Sequence, residues 1–188
     1  MNAPFRMVTT PEKARLRVED FLLLDANGAF ADYTKSELID GEIYVMNAQH
    51  SWHARTKTLL AVEFNIALRA LGSDLEAWNK PSTRVSDYSL PEPDVVLTRH
   101  RGRGVVPLES VALLVEVSDT TLDIDLGRKL RIYAEAGVPE YWVIDLNGGR
   151  ALRMWVPSGS GYAQRDETPL GERVESATIG RLAVMTER

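Results

Sequence analysis

Three charged residues, Asp94, Glu116 and Lys129, have types and positions that suit phosphate chemistry. Apolar residues recur at helical spacing over residues 122–136, and at about 100° per residue Lys129 falls inside that apolar stripe. A cation that faces a core is costly unless an anion meets it. Glu116 stands among apolar residues in LLVEVSD, just before this helix. Two misplaced opposite charges so close in sequence predict a site.

Asp94 adds a second carboxylate. It directly follows Pro93 at the start of the strand candidate PDVVLTR, while strand alternation places Glu116 and Ser118 on one face of VALLVEVSD. If the two strands pair, Asp94 and Glu116 converge, and such carboxylates repel unless a cation or a shared proton lies between them. Oxygen ligands suit Mg²⁺ or Mn²⁺, and a nearby lysine can orient water or offset charge on a phosphate. The three residues predict metal-assisted phosphoryl chemistry.

Each of these residues also has a purely structural interpretation. Lys129 could extend its ammonium group to water at the helix end, or form only an i, i+4 pair with Asp125. Glu116 could be a satisfied structural carboxylate, and Asp94 could be a turn residue after proline. The order of Asp, then Glu-x-Ser on a strand, then Lys on the next helix favours a site over three coincidences.

Patterning also predicts the elements that position these residues. Thr10-Pro11 indicates the start of a short helix that runs to about Leu24, and SELIDGEIYVMN indicates a β-hairpin with its turn at Asp40-Gly41. Apolar residues at helical spacing predict a long helix over residues 51–71; they are Leu59, Leu60, Val62, Phe64, Ile66, Ala67 and Leu71.

A crossover and a β-rich tail complete the predicted organisation. VALLVEV and EYWVIDL are buried strand candidates, and the helix between them predicts a βαβ crossover with parallel or nearly parallel neighbours. ALRMWV and GYAQR predict short antiparallel strands in the tail. No repeat or linker divides the chain, so one α/β or α+β domain is expected.

Composition limits the class of protein. The 188 residues suffice for one domain, and contents of 44% hydrophobic and 26% charged residues are typical of soluble globular proteins. The absence of cysteine excludes disulfide scaffolds and thiolate metal sites. No apolar run is long enough for a membrane span, and the N-terminus lacks the apolar core of a signal peptide, so a cytoplasmic location is expected. The net charge of −5 argues against tight metal-free DNA binding.

Several motifs together resemble the Uma-two family, bacterial proteins classed with the PD-(D/E)xK nucleases. The resemblance is carried by Asp94 in PEPDVV, Glu116 in LLVEVSD and the run D-x-x-x-K-L-x-x-Y-A-x-A-G-V-P-E-Y-W-V-I-D. It extends from the ELIDGE hairpin to about Leu146, and the tail matches loosely. It implies a restriction-endonuclease-like α/β (α+β mixed) fold, a central mixed β-sheet flanked by helices. The expected domain is 1–188, with a nuclease core at about 30–146 and a β-rich C-terminal extension at about 150–188.

The resemblance also implies roles for individual residues. Asp94 and Glu116 would be metal ligands, with the Val117 carbonyl as a third. Ser118 occupies the position where the superfamily usually has its lysine, and Lys129 would replace that lysine from the adjacent helix. Glu37 matches a family glutamate expected to join the metal shell, Asp125 would hold the Lys129 ammonium, and His53 matches a family histidine.

Two further groups of residues have competing interpretations. Arg99, Arg101 and Arg103 lie with His100 in a basic, glycine-containing loop, which is either a solvated loop or a phosphate-contact loop beside Asp94. His50 and His53 have the spacing of a metal pair, but the sequence places no third nitrogen or sulfur ligand, which argues against zinc.

Two functions therefore compete. The resemblance implies a metal-dependent endonuclease that hydrolyses DNA phosphodiester bonds with Mg²⁺ or Mn²⁺ as cofactor. The alternative is a catalytically inactive, nuclease-like module that binds nucleic acid or regulates. Cutting both strands of a duplex usually needs two active sites, so a homodimer is the expected assembly.

Overall fold

The computed structural model describes residues 10–47 and 51–187. Its helices are α1 (Val18–Ala26), α2 (Ser51–Ala70), α3 (Leu122–Ile124) and α4 (Leu130–Glu135), with a π-helical segment (Asp125–Lys129) between the last two and a 3-10 turn at Leu108–Ser110. Its strands are β1 (Lys35–Ile39), β2 (Glu42–Met46), β3 (Glu76–Asn79), β4 (Thr83–Arg84), β5 (Val95–Thr98), β6 (Val106–Pro107), β7 (Val111–Ser118), β8 (Glu140–Asp145), β9 (Arg150–Ser158), β10 (Gly161–Pro169), β11 (Arg173–Glu175) and β12 (Ala183–Met185). Within these two ranges no helix has the length and apolarity to cross a membrane.

A six-stranded sheet in the order β10-β9-β8-β7-β5-β3 forms the centre of the fold. β7 and β8 run parallel, and the other neighbours are antiparallel, so the sheet is mixed. Every residue of β7 and β8 is buried, which explains their continuous apolar runs. Val115 pairs with Val95 on one side and with Trp142 on the other. β5 pairs with β7, so the condition for the convergence of Asp94 and Glu116 is met, and the predicted parallel crossover is confirmed.

Two layers cover the sheet. On one face α2 and the β11–β12 hairpin pack against alternate residues of the central strands, and Phe64 meets Trp142 with ring centroids 5.5 Å apart. On the other face the crossover helix and Ile39 of the hairpin pack against the remaining residues, and Tyr133 meets Tyr141 at 4.9 Å. Strand alternation places Glu116 on this second face, towards the crossover.

The crossover contains the π-helical segment in place of the single α-helix expected over residues 122–136. A π-helical turn carries one extra residue, which changes the faces on which the following side chains lie, and such turns recur at functional sites. The buried residues of the segment are its first and last, Asp125 and Lys129. Lys129 faces the sheet as the apolar stripe predicted.

Three other expectations can be compared with the structure. The β1–β2 hairpin and the long helix α2 are confirmed. The first helix begins at Val18 and not near Thr10, because the Asp20 carboxylate accepts the Arg17 backbone amide and caps the helix there. Val62 and Ile66 are exposed, since only one side of α2 contacts the sheet.

The tail continues the central sheet. β9 pairs with β8 and β10 with β9, so residues 150–169 extend the same sheet that contains β7. The segment after them, with β11 and β12, is fastened by Glu140, which is fully buried in β8. Its carboxylate accepts hydrogen bonds from the Ser176 and Thr178 hydroxyls and from the Ala177 and Thr178 amides.

Candidate metal-binding active site

A cavity of about 200 Å³ lies beside the C-terminal end of β7. Its lining comes from β1, β2, the first turn of α2, the residue before β5, the end of β7, the loop after β7, α3 and the π-helical segment. The charged and titratable residues on which the argument depends are Lys35, Glu37, His53, Asp94, Glu116 and Lys129. The structure therefore brings the three residues singled out by their chemistry to one place.

Lys129 is the central cation of this site. Its Nζ donates to Glu116 Oε1 at 2.9 Å and to Glu37 Oε1 at 3.0 Å, and it lies 3.8 Å from Asp125 Oδ1. The residue is 3% exposed, so its ammonium group does not extend to water. Burial opposes the charge, but the carboxylates of Glu116, Glu37 and Asp125 raise the pKa of Lys129 well above its usual value. Lys129 remains an ammonium group at neutral pH.

Glu116 is held on two sides. Its Oε1 accepts the Lys129 ammonium and also the hydroxyl of Tyr133, at 2.9 Å. Burial raises the pKa of Glu116, and the positive charge of Lys129 opposes that rise. A divalent cation beside Glu116 would favour the ionised carboxylate, because the cation supplies a second positive charge.

Asp94 carries a buried oxygen that makes no hydrogen bond. Its Oδ2 accepts the Val117 amide at 2.9 Å and lies 3.2 Å from His53 Nε2. Its Oδ1 has no hydrogen-bond partner, and the Lys57 ammonium is 3.9 Å away. Burial opposes ionisation, but the hydrogen bond from His53, the charge of Lys35 and the Val117 amide lower the pKa of Asp94 to about 2. Asp94 is therefore an ionised carboxylate with one unused acceptor.

The donor set fits a hard divalent cation. The unused oxygen of Asp94 and the carboxylate of Glu116 are oxygen ligands of the kind such ions prefer. The Val117 amide points towards Asp94, and in an extended strand the carbonyl of a residue points to the same side as its amide, so the Val117 carbonyl also faces Asp94. Within residues 10–47 and 51–187, no group of three or more His, Asp or Glu side chains has an arrangement that could hold a metal ion by itself. The fit therefore depends on two carboxylates and one carbonyl.

The contacts of Glu37 are with two lysines, Lys129 and Lys35. Its Oε1 accepts Lys129 at 3.0 Å and the Glu92 amide at 2.8 Å, and lies 3.3 Å from the Lys35 ammonium. Burial opposes ionisation, but the charges of Lys129 and Lys35 and the Glu92 amide lower the pKa of Glu37. These contacts orient Lys129 directly.

Ser118 has a role that its position in the motif did not reveal. Its hydroxyl donates to Asp125 Oδ2 at 2.5 Å, and Thr121 donates to the same oxygen at 2.7 Å. The Tyr141 hydroxyl donates to the Asp125 carbonyl at 3.0 Å. Ser118 therefore holds Asp125, the first residue of the π-helical segment that ends at Lys129. The contact of Asp125 with the Lys129 ammonium, at 3.8 Å, is longer than its hydrogen bonds to Ser118 and Thr121.

The arginine loop lies elsewhere. Arg99 follows the opposite end of β5 from Asp94, a separation of roughly 16 Å for five residues of extended chain. Arg99 pairs with Asp74 at 2.8 Å, and Arg101 donates to the Asp74 carbonyl at 2.6 Å. Arg103 is exposed in the same loop, and none of the three arginines lines the cavity. The structure does not bring them to Asp94. His50 lies outside the described residues.

Sequence reasoning missed three polar residues at this site. Lys35 stands two positions before Glu37 on the same strand face, Lys57 four positions after His53, and Tyr133 four positions after Lys129. These are the spacings at which neighbours share one face of a strand or helix. These spacings are present in the sequence, but they indicate a site residue only when the other member of each pair is already known to lie at the site.

Comparisons with known proteins identify the fold and the family of this chain. A crystal structure described as "a putative nuclease belonging to DUF820" from Anabaena variabilis superposes with a TM-score of 0.66 at 13% identity, covering 86% of this chain and 89% of that one. At this identity the likeness shows the fold, and the expected restriction-endonuclease-like fold is confirmed. No functionally curated protein matches. The family model of Uma2, "Putative restriction endonuclease", matches residues 18–184, and the chain therefore belongs to the Uma2 (Uma-two) family.

Proposed function

We propose that this protein is a metal-dependent endonuclease that hydrolyses phosphodiester bonds in DNA, with Mg²⁺ or Mn²⁺ as its cofactor. The observation that carries the proposal is the convergence of Asp94, Glu116 and Lys129 beside one cavity, in a chain of the Uma2 family. The absence of cysteine accords with work in a reducing cytoplasm.

Asp94 and Glu116 would hold the cation from adjacent strands, with the Val117 carbonyl as the third protein ligand. A divalent cation bound there supplies Lewis acidity and lowers the pKa of a bound water molecule. Lys129 stabilises the negative charge that grows on the phosphate oxygens during attack, because its ammonium is permanently charged and already oriented by Glu37. The oxygen of water forms the new bond to phosphorus, one phosphorus–oxygen ester bond breaks, and a proton passes to the leaving oxygen.

DNA is the proposed substrate, despite the net charge of −5, because the local charge at the site decides recognition. A bound divalent cation and the lysines around Asp94 would make this part of the surface attractive to a polyanion. Duplex cleavage by a two-fold homodimer would supply one active site to each strand.

The test is cleavage of supercoiled plasmid with Mn²⁺ or Mg²⁺, with EDTA as the blank. Glu116→Ala and Lys129→Ala should each lower the cleavage rate by about 100-fold or more, as expected when a group that stabilises the transition state is removed. Arg165→Gln, an exposed charge change on β10, is the matched control and should cleave like wild type. Cleavage that persists unchanged in both site variants would assign the activity to another site or to a contaminant.

A second function is favoured by a specific observation. Lys129 pairs with Glu116 and Glu37, and Lys35 also pairs with Glu37, so both glutamates have cationic partners within the protein itself. A nuclease-like module that binds nucleic acid or regulates, without cutting, would need no more than this. Calorimetric titration with Mg²⁺ and Mn²⁺ separates the two: binding that Asp94→Asn abolishes supports the nuclease, and no heat of binding at millimolar metal supports the module.

A further inference from the structure

Three further lysines lie around Asp94, and the proposed mechanism uses none of them. This lysine cluster consists of Lys35 on β1, Lys57 on α2 and Lys80 in the loop after β3. Three different elements supply them, so their approach to one aspartate is a product of the tertiary structure. Clustered cations repel one another, and a fold that brings them together must provide anions for them to face.

Distances place two of the three ammonium groups beside carboxylates of the site. The Lys57 ammonium is 3.9 Å from Asp94 Oδ1, the oxygen that makes no hydrogen bond. The Lys35 ammonium is 3.3 Å from Glu37 Oε1, and Lys35 lines the cavity. Lys35 and Lys57 are both buried, at 9% and 8% exposure, so neither is an ordinary solvated surface lysine.

The backbone at Lys80 is strained, and it lies against Asp94. Lys80 has a φ of 49°, in the left-handed region that residues other than glycine rarely adopt. Pro81 follows it, and a residue before proline strongly prefers extended backbone. The Lys80 amide donates to the Asp94 carbonyl at 3.2 Å, which helps to hold this conformation. Such strain concentrates at functional sites, where the surrounding structure imposes it.

The charges around the lysine cluster favour the binding of an anion. The carboxylates of Asp94 and Glu37 face the ammonium groups of Lys57 and Lys35. A divalent cation on Asp94 would share that carboxylate's charge, so Lys57 would lose part of its counter-charge. A second anion beside the metal would restore the balance.

We propose that the lysine cluster is a phosphate subsite that binds the phosphodiester group next to the scissile one. This inference rests on the proposed function, since its ligand is the backbone of the same nucleic acid. It assigns to Lys35, Lys57 and Lys80 the backbone contacts expected of the arginine loop, which the structure places at the far end of β5. Lys57 and Lys80 position the strand, and Lys129 acts at the reacting phosphate.

The test measures DNA binding separately from cleavage. Fluorescence anisotropy with a labelled duplex in Ca²⁺, at a series of salt concentrations, gives the affinity and its dependence on salt. The variants are Lys57→Gln, Lys57→Arg and Lys80→Asn, in which asparagine tolerates the left-handed backbone. Arg165→Gln is the control for loss of one exposed positive charge.

We expect Lys57→Gln and Lys80→Asn each to weaken binding several-fold and to reduce the slope of log K against log salt by about 0.9, the value for one lost phosphate contact. Lys57→Arg should restore the slope, because it keeps the charge, and Arg165→Gln should leave it unchanged. Calorimetric Ca²⁺ affinity without DNA should not fall in any of these variants. If Lys57→Gln and Lys80→Asn match Arg165→Gln in affinity and slope, the subsite is refuted while the nuclease proposal stands.

A second probe tests the phosphate subsite even if the nuclease proposal fails. Inorganic phosphate with Mg²⁺ should raise the thermal midpoint of wild type more than Mg²⁺ alone, and Lys57→Gln should lose that increment. This result supports the subsite even in a protein that cuts no plasmid. An equal phosphate increment in Lys57→Gln and wild type would overturn it.

Discussion

The ammonium nitrogen of Lys129 lies 2.9 Å from Oε1 of Glu116, and both side chains are almost completely buried. The pair joins the π-helical segment to the strand before it, and Glu37 and Tyr133 complete its hydrogen bonds. Removing one member of a buried pair leaves the other charge without compensation, whereas removing both does not. The pair should therefore behave as one unit in stability measurements.

Lys129→Met is expected to lower the free energy of unfolding by about 3–5 kcal/mol in EDTA, because it leaves the buried Glu116 carboxylate without its cationic partner. The double variant Lys129→Met with Glu116→Gln should lose less free energy of unfolding than the two single variants lose in sum, by about 0.5–3 kcal/mol. Urea denaturation of the four proteins of this double-mutant cycle is the measurement. Strictly additive losses would show that the two residues do not interact in solution.

Asp94→Asn should abolish the stabilisation that a divalent cation gives to the folded protein. Wild type should gain about 2.7 kcal/mol when Mn²⁺ is present at 100 times its dissociation constant, because the ion binds only the folded chain. Asn keeps the volume of Asp but not the charge. Asp166→Asn, an exposed change on β10, is the control in thermal denaturation with Mn²⁺ or EDTA. Equal Mn²⁺ stabilisation in Asp94→Asn and wild type would place the ion away from Asp94.

Glu140→Ala should loosen the C-terminal segment that carries β11 and β12. The change leaves the Trp142 indole, the Ser176 and Thr178 hydroxyls and two backbone amides without their acceptor. Each buried donor left unsatisfied costs about 1–3 kcal/mol, so a total loss of several kcal/mol is expected. Urea denaturation measures the loss, and hydrogen exchange should rise first in residues 173–186. Glu167→Gln on β10 is the exposed control; protection of 173–186 as in wild type would refute the fastening role of Glu140.

Gly41→Ala tests how the hairpin that carries Glu37 is seated. Gly41 has a φ of 80°, and a Cβ there would lie 2.8 Å from the Cβ and 3.0 Å from the Cα of Arg15. Gly28→Ala is a matched control, since its φ is 79° with nothing within 4 Å of the added atom. Both variants carry a left-handed alanine, at a cost of about 1 kcal/mol, and Gly41→Ala adds a backbone clash. Thermal denaturation should show a larger loss for Gly41→Ala, and equal losses would mean that the N-terminal segment moves aside freely.

Local patterns determined much of this protein. Continuous apolar runs mark β7 and β8 as central strands, and Asp40-Gly41 marks the hairpin turn. The position of Lys129 within an apolar stripe was sufficient to predict a buried cation with an anionic partner nearby. These features are readable because the periodicity of apolar residues and the chemistry of a turn are set within a few residues of the chain.

The tertiary structure alone decided which distant groups complete the site. Glu37 and Lys129 are 92 positions apart, and their contact exists only because the hairpin packs over the crossover. The lysine cluster comes from three elements, and the arginine loop falls at the other end of β5 because a strand separates its two ends by its own length. The π-helical turn, which sets the direction of Lys129, has no signature in apolar spacing. A sequence pattern specifies which side chains must be buried, whereas the packing of whole elements specifies what they are buried against.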